Sequence, residues 1–268
     1  MKFEVLMSCM HQTDDALVKK TKITGDIVVI NQCNCEDYKE YPTENGVARI
    51  YSTKDRGLTK SRNLAVEKSN ADICLLCDDD EIMEQDYESK ILNAYNDIPQ
   101  ADVIIFKMKN RSTSLGEQTR ELRFPLTAKV SSWQISFKKN SLKKAGIRFD
   151  ELLGAGTGNG AEEEFKFLTD CEKAGLKIYY VPQVIASVGQ EQSTWFDGFT
   201  EEFFVNRGAT TRYILGVFVA SLYAIYYIVC KRSMYQKDIS SWKALKAIFR
   251  GIKENKITKL AMKGKTHE

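Results

Sequence analysis

The chain has 268 residues, 43% of them hydrophobic and 28% charged, which allows a substantial buried core and excludes wholesale disorder. Seven cysteines and two histidines fit neither a disulfide framework nor a zinc-ligand spacing, so the cysteines read as buried or idle thiols in a reducing compartment. The net charge of +3 is uneven: from Lys231 onward 11 Lys/Arg stand against three Asp/Glu, a local +8 that leaves residues 1–230 at −5. An acidic body is not a nucleic-acid binder, while the basic tail points to an anionic surface, lipid or nucleic acid. The start, Met1 to Val5, has no basic stretch leading into an apolar one, so no secretory signal is expected.

In chain order, Phe3 to Cys9 and Asp26 to Ile30 are short apolar runs that predict buried strands. A helix is expected between them over Asp14 to Lys22, capped by Thr13 or Asp14. Leu58 to Lys68 predicts a second helix and Asp72 to Cys77 (DICLLC) a buried strand that ends abruptly in acid. Tyr87 to Asn96 reads as a helix closed by Pro99, and Asp102 to Lys107 as a further strand. Trp133 to Lys138 suits a strand, Gly154 to Gly160 (GAGTGNG) a loop, and Ala161 to Ala174 a helix stopped by Gly175. This strand–helix rhythm predicts an α/β sandwich whose ligands lie beyond the carboxyl ends of the strands.

That rule directs attention to Asp78, Asp79, Asp80 and Glu81, directly after DICLLC. Four consecutive acids repel one another unless a positive charge sits among them, and hard carboxylate oxygens suit Mn²⁺ or Mg²⁺. In a segment leaving a strand, residues two apart share a face, so Asp78 and Asp80 are the expected metal ligands; the alternative is a solvated acidic turn. Just upstream, RGLTKSRN (Arg56 to Asn63) offers Gly57 for close backbone approach and Arg56, Lys60 and Arg62 for phosphate charge. A third cluster, Glu162, Glu163 and Glu164, opens the helix after the glycine-rich loop, where acids also complement the helix dipole.

The run GLTKSRNLAVEKSNADICLLCDDDE resembles the core of family 2 glycosyltransferases with the GT-A fold, in which a Gly…Arg-Asn helix precedes a strand ending in an Asp-x-Asp metal motif. The likeness covers roughly the first 190 residues, the usual size of one domain. It implies a GT-A-like nucleotide-binding sandwich with a mainly parallel sheet over residues 1–200. Gln32 and its neighbours, Asp55, Arg56, Arg62, Asp78 and Asp79 would border a nucleoside diphosphate sugar, and Asp80 would reach the metal on its diphosphate. The family carries a Glu-Asp pair at the head of the later helix. Its second acid, the base, falls on Glu163, with Glu162 before it and Glu164 as the alternative if the register slips by one. Many relatives have a histidine after the next strand; here IASVGQEQSTW has none, and either Gln190, Glu191 or Gln192 substitutes or water takes that place on the metal.

The tail, 201–268, is expected to associate with a membrane. Tyr213 to Cys230 has 18 residues without a charge, about the shortest length that spans a bilayer. Ser241 to Lys253 places Trp242, Leu245, Phe249 and Ile252 on one helical face bordered by basic residues, as in a helix lying in an anionic interface. The resemblance and the tail together imply a divalent-metal-dependent, inverting glycosyltransferase at the cytoplasmic face of the cell membrane, held peripherally or by one C-terminal span. By analogy with the family it resembles, its acceptor would be a lipid-linked saccharide of bacterial surface polysaccharide assembly. A sugar nucleotidyltransferase is the first rival, although Met7 to Asp14 lacks the glycine-rich, lysine-bearing loop it needs; a non-catalytic membrane scaffold is the second.

Overall fold

A computed structural model describes residues 1–111, 113–159, 162–189 and 198–264. They divide into two compact units: Met1–Phe149 with Glu164–Glu191, and Asp150–Glu163 with Gln192–Glu268. The segment Asp150–Glu163 thus groups with the tail helices rather than with residues 1–149.

The first unit is built on one sheet. Its strands are β1 (Phe3–Met10), β2 (Ile27–Gln32), β3 (Asp37–Pro42), β4 (Val47–Thr53), β5 (Ile73–Cys77), β6 (Glu81–Met83), β7 (Val103–Met108), β8 (Arg120–Glu121), β9 (Ile135–Lys138) and β10 (Ile178–Val188). They are ordered β3-β4-β2-β1-β5-β9-β7-β10-β6, with β8 on β10. The block β4-β2-β1-β5 is parallel, whereas β9 runs antiparallel to both β5 and β7, so the sheet is mixed. Both faces are covered, which is why the strands read as continuous apolar runs. On one face Val5, Met7 and Cys9 meet α1 (Ala16–Lys20) and α3 (Tyr87–Asp97); on the other Leu6, Cys74 and Leu76 meet α2 (Leu58–Lys68), α4 (Lys139–Ala145) and α5 (Glu163–Lys173).

The predicted helices over 58–68 and 87–96 and the strands over 3–9, 26–30, 72–77 and 102–107 appear within a residue or two of their expected ends. The first helix is only Ala16–Lys20, and the strand expected from Trp133 begins at Ile135 after a single tight turn. The hairpin β3–β4 had no signal in β3, whose DYKEYP is an almost wholly exposed edge strand without an apolar period.

The second unit is helical: α6 (Glu201–Cys230), α7 (Arg232–Tyr235), α8 (Ser241–Glu254) and α9 (Lys256–Gly264). Among the described residues α6 alone is long and apolar enough to cross a membrane. It is not one rod, however: Gly216 has φ 77° and ψ 169°, outside the helical region, and separates two arms. The rings of Phe204 and Tyr227 lie 6.1 Å apart, and the Arg207 guanidinium donates to the Tyr223 hydroxyl at 3.0 Å. In a straight helix residues 23 apart would be separated by about 34 Å. The chain therefore reverses at Gly216, and α6 is a helical hairpin.

The first arm crosses α8 where two glycines face backbone. A Cβ on Gly208 would stand 2.1 Å from the Ile248 carbonyl oxygen, and one on Gly251 1.9 Å from that of Val205. These contacts fix a prediction whose sign separates two effects. Helix propensity alone would make Gly208→Ala more stable by about 1 kcal/mol. The crossing makes it overpacked, and a net loss of about 1–3 kcal/mol is expected in urea denaturation.

Candidate active site

The carboxyl ends of β1, β2, β4 and β5 open onto one edge of the first unit, and polar side chains there are ordered by their own hydrogen bonds. Asn31 exchanges bonds with the Gln12 backbone, 2.8 Å in each direction, and donates to the Ser52 hydroxyl at 3.1 Å. Gln32 is buried, and its Oε1 accepts from the Gly57 amide at 2.7 Å. Gly57, at φ 126° and ψ 130°, occupies backbone space closed to other residues and turns the chain into α2. Gln32 thus shapes this turn. Arg56 folds over it, donating to Asn34 Oδ1 at 2.8 Å and to the Thr53 and Lys54 carbonyls; the Asp55 amide bonds the Thr53 hydroxyl at 3.2 Å.

One turn further along α2, Arg62 is buried with only 3% exposure. Its guanidinium reaches Asp78 at 3.2 Å and Glu164 at 3.1 Å and lies over the Phe149 ring at 5.6 Å. Neighbouring Asn63 pins the Phe149 backbone in both directions at 2.9 Å. The second oxygen of Asp78 accepts from the Ser132 hydroxyl at 2.7 Å. Arg62, expected to meet phosphate, is therefore shared between two carboxylates, and Ser132 is a partner that no sequence signal disclosed.

The acids after β5 form a tight turn rather than an extended run, so the alternation expected to align Asp78 with Asp80 does not apply. Glu81 leaves the turn to begin β6 and is buried, with its Oε1 accepting from the Asp78 amide at 2.6 Å. Burial first, and then the charge of Asp78, pushes its carboxyl well above the usual range. Asp79 is exposed, Asp80 is half-buried, and the Asp80 carbonyl accepts from the Gly189 amide at 2.7 Å. Repulsion in the acidic run is thus eased by Arg62 and by the burial of Glu81, which favours its neutral form. Burial, reinforced by Asp79, pushes the Cys9 thiol up to about 12, and burial likewise raises Cys77. All seven cysteines are free.

Among the described residues no three Asp, Glu, His or Cys side chains converge as a ligand set. A divalent cation here would take carboxylate oxygen from the Asp78–Asp80 turn and its remaining ligands from water and a diphosphate. Such partial protein ligation suits Mg²⁺, and the hard donors fit. Gln190, Glu191 and Gln192 lie outside the described residues.

The three glutamates before and within α5 have different surroundings. Glu164 belongs to the first unit and holds Arg62. Glu163, the first residue of α5, is buried with 4% exposure. Glu162 has φ 90°, a strained conformation for a residue with a side chain, and pairs with Arg207 at 2.6 Å inside the second unit. Arg207 also lies over the rings of Phe203 and Tyr227, 5.1 and 4.8 Å from their centroids. No sequence pattern signals this pairing, because 45 residues separate the partners and Arg207 sits before the uncharged stretch.

A mixed α/β sheet with an acidic turn and a basic helix at its carboxyl edge has the form of a GT-A-like Rossmann fold. Residues 13–155, more than half of the chain, match the model of glycosyl transferase family 2, and the chain belongs to that family. S. aureus TarS has the same fold. The crystal structure of its residues 1–349 with UDP gives a TM-score of 0.59 at 16% identity, covering 94% of this chain and 81% of that one. The complex of that fragment with UDP-GlcNAc gives 0.56 at 15%, covering 92% and 70%. Against the longer TarS structure the TM-score is 0.56 at 15% identity, and 89% of this chain spans 45% of that one. No curated protein matches the chain.

Arg62→Met would leave Asp78 and Glu164 without their shared cation. A loss of about 3–5 kcal/mol in chemical denaturation is expected, the usual result of breaking a buried ionic group. Arg62→Lys should recover only part of it, because an ammonium lacks the planar fork that serves two carboxylates.

Proposed function

We propose that this family 2 enzyme moves a glycosyl group from a nucleoside diphosphate sugar to a saccharide hydroxyl with inversion. The observation that carries the proposal is the Arg62 bridge, which ties the acidic turn after β5 to Glu164, the residue next in chain to Glu163. UDP-GlcNAc, bound by TarS, is the first donor to test. Asn31, the turn held by Gln32, Asp55 and Arg56, and Asp78 with Asp79 supply a polar border for the nucleotide.

Glu163 accepts the proton of the acceptor hydroxyl as that oxygen attacks the anomeric carbon. The bond to the diphosphate oxygen breaks on the opposite face, and nucleoside diphosphate leaves. Asp80, with Asp78, would hold Mn²⁺ or Mg²⁺, which when bound neutralises charge on the leaving diphosphate. Glu162 is engaged with Arg207, which favours Glu163 over Glu162 as the base. The local charge of +8 from Lys231 onward, beside an exposed apolar helix, supports a peripheral site on an anionic cytoplasmic leaflet. There the acceptor would be a lipid-linked saccharide of surface polysaccharide assembly, a step taken by analogy with the family.

Asp80→Asn is expected to abolish transfer and to remove the Mn²⁺ dependence of UDP-GlcNAc binding in calorimetry without unfolding the chain; normal turnover would refute the metal role. Glu163→Gln should lower turnover by about 10²-fold or more, the range for losing a general base, with donor affinity little changed. If Glu164→Gln or Glu162→Gln behaves this way instead, the base is one residue away.

A further inference from the structure

The hairpin in α6 changes what its apolar surface can do. Its arms cover residues 201–215 and 217–230, so neither exceeds about 22 Å, whereas a hydrocarbon core of about 30 Å needs about 20 helical residues. Unfolding the hairpin into a span would break the Arg207–Tyr223 hydrogen bond and separate Phe204 from Tyr227. It would also expose Ala220 and Ala224, which pack with Ala244, Ala247 and Ile248 of α8. The second arm nevertheless turns a continuous stripe outward. Phe218, Leu222, Ile225 and Val229 recur at helical spacing and are 74, 54, 52 and 69% exposed. Only 28% of the most apolar window of α6 is buried.

The stripe has a basic border. Lys231 and Arg232 follow the second arm directly. On α8, exposed Trp242 carries Lys246 over its ring at 5.0 Å, an amphipathic pair suited to the headgroup level. Apolar surface rimmed by cations matches an anionic leaflet better than a protein partner of mixed charge. We infer that the hairpin is a wedge in one leaflet: the Phe218–Val229 stripe enters the acyl region, Trp242 and the cations stay at the headgroups, and both ends of α6 remain on the same side of the membrane. This rests on the peripheral-membrane reading above and adds its depth, its residues and its topology.

The test uses the full chain with vesicles of phosphatidylcholine, with or without phosphatidylglycerol. Wild-type protein should float with the anionic vesicles and stay partly bound at high salt, with its tryptophan fluorescence quenched by lipids brominated near the headgroup. Phe218→Glu combined with Val229→Glu should keep the thermal midpoint and UDP-GlcNAc affinity but partition about ten-fold or more weaker, as expected from withdrawing two large apolar side chains. In a Cys35→Ser background, Cys230 is the remaining exposed thiol and should react with an impermeant maleimide added outside vesicle-bound protein.

Protection of Cys230 would mean that α6 crosses the bilayer, and the one-leaflet wedge would be overturned. Undiminished partition of the double variant would overturn the wedge and leave a purely electrostatic peripheral site. Failure of the wild type to bind either vesicle would overturn the membrane reading as well. Light scattering that shows a lipid-free dimer, broken by the same double substitution, would make a second copy the occupant of the stripe and overturn the wedge.

Discussion

The buried guanidinium of Arg62 is the interaction on which the candidate site depends. A cation with 3% exposure is costly unless its charge and donors are met, and it is met here by Asp78, Glu164 and the Phe149 face. These partners come from three distant parts of the chain, so satisfying one charge brings the turn after β5 to α2 and the head of α5. Asn63 serves the same end by holding the Phe149 backbone, which keeps the ring beneath the guanidinium. The Arg-Asn pair within RGLTKSRN is thus an organising element, one residue gathering acids and the next gathering backbone.

The acidic run is tolerable for the same reason. Four adjacent acids carry a penalty that the chain divides among separate environments: Asp78 is paired with Arg62 and hydrogen-bonded by Ser132, Asp79 is exposed, and Glu81 is buried where its neutral form is favoured. Asp80 is left half-buried, with its backbone tied to Gly189. The polypeptide therefore holds the turn through its own contacts, the Asp80 carbonyl among them.

Much of this was legible in the sequence because buried strands and amphipathic helices leave periodic traces. DICLLC and LTKSRNLAVEK are one strand and one helix with the boundaries their patterns suggest, and the acids and bases that flank them fall on one edge of the sheet. What was illegible has a physical cause. β3 is an exposed edge strand, paired by backbone hydrogen bonds that side-chain polarity does not report. The antiparallel run of β9 depends on which neighbours it joins, and composition is silent on direction. Ser132 on Asp78 and Arg207 on Glu162 are contacts across 54 and 45 residues, and neither partner type is unusual where it stands.

Hydropathy misleads most at α6, where one glycine decides the outcome. A window average cannot distinguish a span from a hairpin, because both contain the same uncharged residues; the difference lies in a single φ of 77° at Gly216. Once the chain turns there, the apolar surface divides. Ala220, Ala224, Tyr227 and Ile228 face the interior of the helical unit, while Phe218, Leu222, Ile225 and Val229 face outward. Glycine at the crossing lets the first arm of α6 and α8 approach to backbone distance, as the Gly208 and Gly251 contacts require. Ala220 and Ala224 pack inward beside Tyr227 and Ile228, yet four large apolar side chains of the same arm stay outside, against the usual economy of a water-soluble helix, in which the largest apolar side chains are buried first. Such a distribution is stable in water only as an exposed cost, and it ceases to be a cost where the surrounding medium is itself apolar.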